Sequence, residues 1–296
     1  MSLKPGRQST QEQILRIFDK NLLPTLGSKS VYEIPRPDLL EALEKIERRG
    51  ALTTAEKCRT WLRQLYRYVL VKVADLEHNP ASDLDVVAAP KKPVTHNPFL
   101  RMADLPELLQ KLRPYSRTLQ IQLGVRLLLL TCVRTGELRL ATPGQFQLDQ
   151  GLWIIPPEVV KQLQVEMRKD CKLPSDIPPY IVPLSVQAQE IIRHLPAQRR
   201  PSLKYLLGHQ NKLSERISEN TLKAALRRMG YVRLLTVHGI RATISTALNE
   251  VAYPKVWVDA QLSHTDPDKV NFSYNHAEYV EQRRCMMQDW ADRLDL

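Results

Sequence analysis

Apolar residues recur every three to four positions through most of residues 11–84, which is the spacing of amphipathic helices. Three helices are predicted there. The first begins near Thr10, which has Gln13 three positions on, as in a capping box. The second begins after Asp38 and ends at Gly50, and the third begins near Thr54. The N-terminal part of the chain is therefore predicted to be an all-helical domain.

The helical pattern breaks down after residue 84. The stretch from 86 to 98 contains three prolines and two lysines with little periodicity, which is typical of an extended linker. We therefore expect a helical domain of residues 1–88, a linker of residues 89–99 and a second domain of residues 100–296.

The second domain contains a pattern that predicts a small sheet. After helical stretches at 102–112 and 115–132, the apolar runs Phe146–Leu148 and Leu152–Ile155 flank Asp-Gln-Gly, a hairpin-turn sequence. A third run, Tyr180–Pro183, follows a polar loop, and helical patterns dominate from there onward. The predicted fold class is mainly α with a small antiparallel β-sheet in the second domain.

Composition favours an anionic partner. The chain has 296 residues, with 43 Lys and Arg against 32 Asp and Glu, so its formal net charge is +11. Nucleic acid is the commonest partner of such a chain. The four cysteines lack metal-binding spacing, so we expect reduced thiols and no zinc site. Residues 1–7 lack an apolar signal core, and Leu127–Leu130 is too short to span a bilayer, so we expect a cytoplasmic protein without a membrane role.

Two groups of arginines are candidates for contact with nucleic acid. Arg59, Arg63 and Arg67 are spaced i, i+4, i+8, which places them on one face of the third helix. No carboxylate is interleaved with them, which favours phosphate contact over a solvated charged face. Arg227 and Arg228 lie together on a later predicted helix.

An ordered set of five residues carries the candidate chemistry: Arg134, His238, Arg241, His264 and Tyr274. Each guanidinium can offer a planar fork of donors to a phosphate. The imidazoles can move protons near neutral pH, and the phenol can act as a covalent nucleophile. Each residue alone also fits an ordinary ion pair, helix cap or core position. The ordered set is what indicates chemistry on a phosphodiester.

With these residues in place, the chain resembles the tyrosine recombinases of the phage-integrase family, and within it the integrases of prophages and genomic islands of enteric bacteria. The resemblance covers roughly residues 10–296 and is carried by the stretches 131–138, 151–156, 181–185, 218–230, 238–250, 261–274 and 281–290. It implies a SAM-like helical core-binding domain and a catalytic domain that clamp DNA between them. It implies no cofactor, no metal and no ATP.

The resemblance also implies a role for each residue of the set. Arg134 and Arg241 would bind the scissile phosphate and stabilise the charge of the transition state. His264 would donate to the same phosphate, and His238 would hydrogen-bond there or accept the phenol proton. Tyr274 would attack, giving a 3′-phosphotyrosyl link and a free 5′-hydroxyl.

The leaving 5′-oxygen requires a general acid, which the family supplies as a lysine in or beside the β-hairpin. The family's register points to Lys161. Lys169 and Lys172, in the unusually long segment that follows, are alternatives, and a solvated loop lysine is the structural interpretation of all three. Tyr279 is likewise a rival to Tyr274 as the nucleophile.

The predicted function is site-specific recombination that integrates or excises a mobile element. A homotetramer would act on double-stranded attachment sites through a Holliday junction, with excision or bending factors as further candidate partners. The alternatives are a type IB topoisomerase-like enzyme and a catalytically inactive DNA-binding regulator.

Two features depart from the family or leave alternatives open. Family members usually begin with a separate arm-binding domain, so the chain is expected to be either a truncated or a naturally short integrase. Met286, Met287 and Trp290 lie in a final amphipathic helix, which would dock on a neighbouring protomer or pack on its own core.

Overall fold

The computed structural model describes residues 8–72, 76, 78–90, 93, 96–115, 118–195, 202–209, 211–264 and 278–295. Its backbone contacts divide the chain into two compact units, Met1–Thr95 and His96–Leu296. The finer domain limits given above stay a prediction.

The described part of the first unit is helical. Its helices are α1 (Gln8–Asn21), α2 (Leu23–Leu26), α3 (Arg36–Arg48) and α4 (Leu52–Lys72). Their shared core consists of Leu22, Leu26, Leu39, Ala42, Leu43, Ile46, Ala55, Cys58, Leu62, Tyr66, Ala81 and Leu84.

Two helices of this unit begin earlier than their caps predicted. Helix α1 begins at Gln8 rather than after Thr10. Helix α3 begins at Arg36 with Pro35 as its N-cap residue, so Asp38 lies inside the first turn. Proline is well suited to a helix start because the first-turn N–H groups have no partner within the helix.

The second unit contains the predicted sheet. Strands β1 (Phe146–Gln147), β2 (Leu152–Ile155) and β3 (Tyr180–Pro183) pair antiparallel in the order β1-β2-β3. Trp153 lies opposite Phe146 on one side and Val182 on the other. Gly151 occupies the hairpin turn with φ +63°, a conformation that favours glycine. The predicted fold class is confirmed, with β1 one residue shorter than expected.

The other described elements of the unit are mostly helices, and α6 is central among them. The described helices of the unit are α5 (Leu105–Leu112), α6 (Leu119–Thr131), α7 (Thr135–Leu140), α8 (Lys161–Asp170), α9 (Val186–His194), α10 (Asn220–Arg228), α11 (Gly239–Glu250), α12 (Lys255–Gln261) and α13 (Val280–Asp295). Helix α6 is buried along most of its length and packs against α9, α10, α11 and α13. Across the described residues, no helix combines the length and the apolar character needed to cross a membrane.

The segment between the second and third strands was predicted as a polar loop, and this is wrong. Residues Lys161–Asp170 form α8, which Cys171 ends in a left-handed conformation with φ 52°. No residue of α8 is buried, so the hydrophobic periodicity that identifies most helices is weak here. Its run of Lys, Gln, Leu, Glu, Met and Arg has high intrinsic helix propensity, which is the signal that predicts it.

The last helix packs on the core of its own chain. Met286, Met287 and Trp290 of α13 are fully buried within the unit. The indole N–H of Trp290 donates to the carbonyl of Leu129 in α6 at 2.7 Å. Of the two arrangements considered for α13, the structure therefore has the packing against its own domain.

Replacing Trp290 by alanine should destabilise the protein strongly. The change opens a cavity beside α6 and leaves the buried Leu129 carbonyl without its donor. We expect the free energy of unfolding to fall by about 3–5 kcal/mol, measured by urea titration followed by circular dichroism. The half-buried Trp257 provides the control, and Trp257→Ala should cost less. Equal losses for the two variants would contradict the packing of Trp290 in the core beside α6.

Candidate active site

Arg134 lies between the C-terminus of α6 and the N-terminus of α7. Cys132 ends α6 in a left-handed conformation with φ 58°, and Arg134 then becomes the N-cap residue of α7. The carboxylate of Glu137, which is only 1% exposed, accepts the backbone N–H of Arg134 at 2.6 Å and its guanidinium Nη1 at 3.1 Å. Nη2 donates to the carbonyl of Ser263 at 3.2 Å. Glu137 therefore sets the direction of the Arg134 side chain.

Arg241 lies in the first turn of α11 and is 5% exposed. Its Nη1 donates to the carbonyl of Cys132, and its Nη2 donates to the carbonyl of Leu262. Nη2 also lies 3.5 Å from Nε2 of His264. Among the described residues, no carboxylate lies within ion-pair distance of Arg241. Its positive charge is thus held by carbonyl dipoles and remains available to an anion.

The start of α11 requires glycine at position 239. The carbonyl of Pro98 accepts the N–H of Thr236 at 3.3 Å, and a Cβ at Gly239 would lie 2.0 Å from that oxygen. The N–H of Gly239 in turn donates to Oγ1 of Thr236 at 2.8 Å. This close approach places His238 at the N-cap and Arg241 one turn further on.

His264 is positioned by a tight turn at the end of α12. Ser263 has φ 47°, and the N–H of His264 donates back to the carbonyl of Asp259 at 2.9 Å. The Nδ1 atom of His264 lies 3.6 Å from Oδ1 of Asp259. The ring thus lies between Asp259 on one side and the Arg241 guanidinium on the other.

Both imidazoles lie in a positive environment. The pKa of His264 is lowered, and desolvation is the largest cause. The charges of Arg241 and Arg134 lower it further, and Asp259 opposes these effects. Desolvation and the same two arginines also lower the pKa of His238, and Lys161 adds to that effect. Both rings therefore bind a proton less readily in the free protein than an ordinary histidine does.

Of the three candidate lysines, Lys161 is the one whose charge acts on the set, since it lowers the pKa of His238. Lys161 is the exposed first residue of α8. Lys172 pairs with Glu166 at 3.1 Å within its own segment. Lys169 is exposed in the last turn of α8.

Of the two candidate nucleophiles, the structure describes only Tyr279. Tyr274 lies outside the described residues. Tyr279 lies just before α13 with φ 49°, and its carbonyl accepts the N–H of Arg283 at 2.9 Å. The choice between the two tyrosines remains a prediction.

The three arginines of α4 differ in their surroundings. Arg59 is buried and forms an ion pair with Glu47, which favours a structural role for it. Arg63 is partly exposed and pairs with Asp85. Arg67 is exposed. Contact with nucleic acid stays a prediction for all three, and Arg67 has the most accessible side chain.

Arg227 and Arg228 lie in the last turn of α10 and are both exposed. A guanidinium nitrogen of Arg228 lies 3.5 Å from the Tyr115 hydroxyl. Their contact with nucleic acid also stays a prediction.

A buried polar network beneath the site was missed by the sequence analysis. It consists of Thr131, Tyr180, Gln261 and Arg283, which come from α6, β3, α12 and α13. One signal could have identified it. Arg283 shares a face with Met286, Met287 and Trp290 at i, i+3, i+4 and i+7, which is the buried face of that helix.

Comparison with known families identifies both units. A model described as the phage integrase central domain matches residues 4–86, and one described as the phage integrase family matches residues 98–281. The prophage integrase IntZ of Escherichia coli (strain K12) is 32% identical to the chain over 289 residues, which are 97% of this chain and 67% of IntZ.

Solved structures share the fold at low sequence identity. A lambda integrase(75-356) dimer bound to a COC′ core site matches with a TM-score of 0.64 and 13% identity, over 88% of this chain and 90% of that one. A lambda integrase tetramer bound to a Holliday junction matches with a TM-score of 0.62 and 14% identity, over 90% of this chain and 72% of that one.

The two imidazoles should titrate below the ordinary histidine pKa of about 6.5. Because the folded-state pKa of each is lowered, their neutral forms contribute stability that is present above pH 6.5 and is lost as the pH falls. Histidine ring signals in NMR spectra, assigned with His238→Gln and His264→Gln, measure both midpoints. A midpoint at or above 6.5 for either ring would contradict the positive environment described here.

Proposed function

The chain belongs to the phage integrase family, and from this we propose how its own residues perform the reaction of that family. It is a tyrosine-type site-specific recombinase, which cleaves and rejoins DNA in the integration or excision of a mobile element. The observation that carries the residue assignments is the convergence of Arg134, Arg241 and His264 on the turn that ends α12.

We propose that this turn holds the scissile phosphate. A guanidinium has five N–H donors, so Arg134 and Arg241 can keep their carbonyl partners and still bind the non-bridging oxygens. The low solvent exposure of both groups strengthens their interaction with the charge that develops in the transition state. Glu137 is the one carboxylate paired with these two arginines among the described residues, so the site retains net positive charge.

Phosphate binding would raise the pKa values of His238 and His264. Their pKa values are lowered first by desolvation and then by the charges of Arg241 and Arg134, and the negative charge of a bound phosphodiester would oppose the second of these effects. His264 would then take up a proton and donate to the phosphate. His238 would hydrogen-bond to the phosphate or accept the proton of the attacking phenol.

Tyr274 is the proposed nucleophile. A nicked suicide substrate that carries the cognate site should trap a covalent adduct with the native chain, because the freed end diffuses away before religation. Tyr274→Phe should abolish this adduct, whereas Tyr279→Phe should retain it. Denaturing gel electrophoresis of labelled DNA measures both.

The other outcomes of this experiment identify the alternatives. An adduct that survives in Tyr274→Phe and disappears in Tyr279→Phe would assign attack to Tyr279. Relaxation of supercoiled plasmid without site preference would indicate a topoisomerase-like enzyme. Binding to DNA without any adduct in the native chain would indicate a regulator.

Lys161 is the proposed general acid. Lys161→Ala should slow cleavage of an ordinary substrate by about 10²–10⁴-fold, because the 5′-oxygen then leaves unprotonated. A substrate with sulfur at the 5′-bridging position should largely restore the rate, since a thiol has a pKa of about 8.5 and leaves as the thiolate.

Lys172→Ala serves as the matched control, because Lys172 pairs with Glu166 in the same segment. It should cleave both substrates at the native rate. The same oxygen-specific defect in Lys169→Ala, with Lys161→Ala unaffected, would transfer the role to Lys169.

We also propose the partners of the reaction. Double-stranded attachment sites would be the substrate, and four copies of the chain would act together, as the lambda integrase tetramer bound to a Holliday junction suggests. Excision or bending factors would set the direction of the reaction, and the location would be cytoplasmic.

A further inference from the structure

Arg283 is a buried cation that the reaction does not yet account for. It is 1% exposed, and desolvation lowers its pKa. Among the described residues, no carboxylate lies within ion-pair distance of its guanidinium. Burying an arginine in this way is costly, so oxygen acceptors must compensate for the lost water.

The acceptors of Arg283 come from two different parts of the chain. Its Nε donates to the carbonyl of Glu278 at 2.8 Å, and its Nη1 donates to Oε1 of Gln261 at 3.2 Å. Gln261 precedes His264 by three residues, and Glu278 follows Tyr274 by four. The planar guanidinium of Arg283 therefore joins Gln261, which precedes the proposed nucleophile in the sequence, to Glu278, which follows it.

The Gln261 end of this connection is itself held firmly. Gln261 is fully buried, and its Nε2 donates to the carbonyl of Thr131 at 2.8 Å. Its backbone carbonyl accepts the hydroxyl of Tyr180. The Arg283 guanidinium lies 5.9 Å from the centre of the Tyr180 ring, a cation–π distance.

This network continues directly into the phosphate-binding residues. Thr131 precedes Cys132, and Gln261 precedes Leu262, and the carbonyls of Cys132 and Leu262 are the two that hold Arg241. A displacement of Arg283 would therefore change the position of α13 relative to the residues that hold the phosphate.

We propose that Arg283 is a positioning residue that sets the reach of the nucleophile toward the scissile phosphate. It joins α13, which follows the tyrosine, to Gln261, which lies beside the phosphate-binding turn. The inference rests on the proposed function, because it takes Tyr274 as the attacking group. It adds a requirement that the residues in contact with the phosphate do not supply.

The first test separates attack from DNA binding. Arg283→Lys keeps the charge but loses the fork that spans two acceptors. Adduct formation on the suicide substrate in a single turnover should slow by about 10–100-fold, since small displacements of reacting groups have effects of this size. The Kd for the same DNA should change by less than about threefold.

The neighbouring arginine provides a matched control. Arg284 lies on the same helix and donates to the carbonyl of Gln150 at 2.9 Å, away from the network. Arg284→Lys should form the adduct at the native rate. A purely structural role for Arg283 predicts instead that Arg283→Lys lowers the melting temperature and weakens DNA binding to the same extent as it slows adduct formation. That result would overturn the proposal.

An external nucleophile supplies the second test. In Tyr274→Phe, hydrogen peroxide can replace the phenol: its anion forms the new bond to phosphorus, the P–O5′ bond breaks, and the 5′-oxygen takes a proton. The variant that combines Tyr274→Phe with Arg283→Lys should cleave with peroxide at the rate of Tyr274→Phe alone. If the combined variant instead loses peroxide cleavage by the same factor as Arg283→Lys loses adduct formation, Arg283 supports the phosphate site itself. That result would overturn the proposal.

The two proposals fail in different ways. If the native chain forms no adduct at all, the proposed function fails, and if it forms the adduct through Tyr279, the proposed nucleophile fails. If the native chain forms the adduct and Arg283→Lys forms it equally fast, only the inference about Arg283 fails. If Tyr274→Phe does not use peroxide, the first test decides about Arg283: a slower adduct rate with an unchanged Kd for Arg283→Lys supports the proposal, and a parallel loss of both overturns it.

Discussion

The burial of the Arg241 guanidinium is the interaction on which the rest of the site depends. A buried cation needs oxygen acceptors in place of water, and here the carbonyls of Cys132 and Leu262 supply them. Both carbonyls lie at helix ends, where the last C=O groups have no partner within their own helix. The left-handed conformation of Cys132 ends α6 at this point, and the same turn leads to Arg134. The need to satisfy one arginine thus brings three helix termini together.

The same arrangement creates a surplus of positive charge beneath the surface. Arg134 has a carboxylate partner in Glu137, whereas Arg241 and Arg283 are held by uncharged oxygens among the described residues. After desolvation, which is the larger cause, the charges of Arg241 and Arg134 lower the pKa values of His238 and His264. Under the proposed function, a bound phosphodiester would reduce this surplus of positive charge, so the repulsion between the guanidinium groups would favour substrate binding. Carbonyl dipoles are suited to this purpose because they stabilise the cations without neutralising them.

Individual elements show how far the sequence analysis reached. The hairpin was predictable because two short apolar runs flank a turn that ends in Gly151, and α6 was predictable from its continuous apolar run. Helix α8 was missed because it buries none of its residues, so periodicity carries little signal. Arg59 and Arg67 look equivalent in the sequence, yet only the structure distinguishes the buried ion pair from the exposed side chain. Gln261 and Arg283 were missed because their partners are far away in the sequence or belong to the backbone.

The sequence by itself determined the fold class, the family and the order of the candidate catalytic residues, because these depend on local periodicity and on residue types at fixed spacings. The tertiary structure decided which of those residues meet. It brought the charge of Lys161 to bear on His238, placed Arg241 beside His264, and joined Gln261 to Arg283. The contacts of Arg241 and Arg283 follow from the packing of α6, α11, α12 and α13 around these two buried charges. They depend on distances in space between helix ends, which the spacing of residues along the chain does not contain.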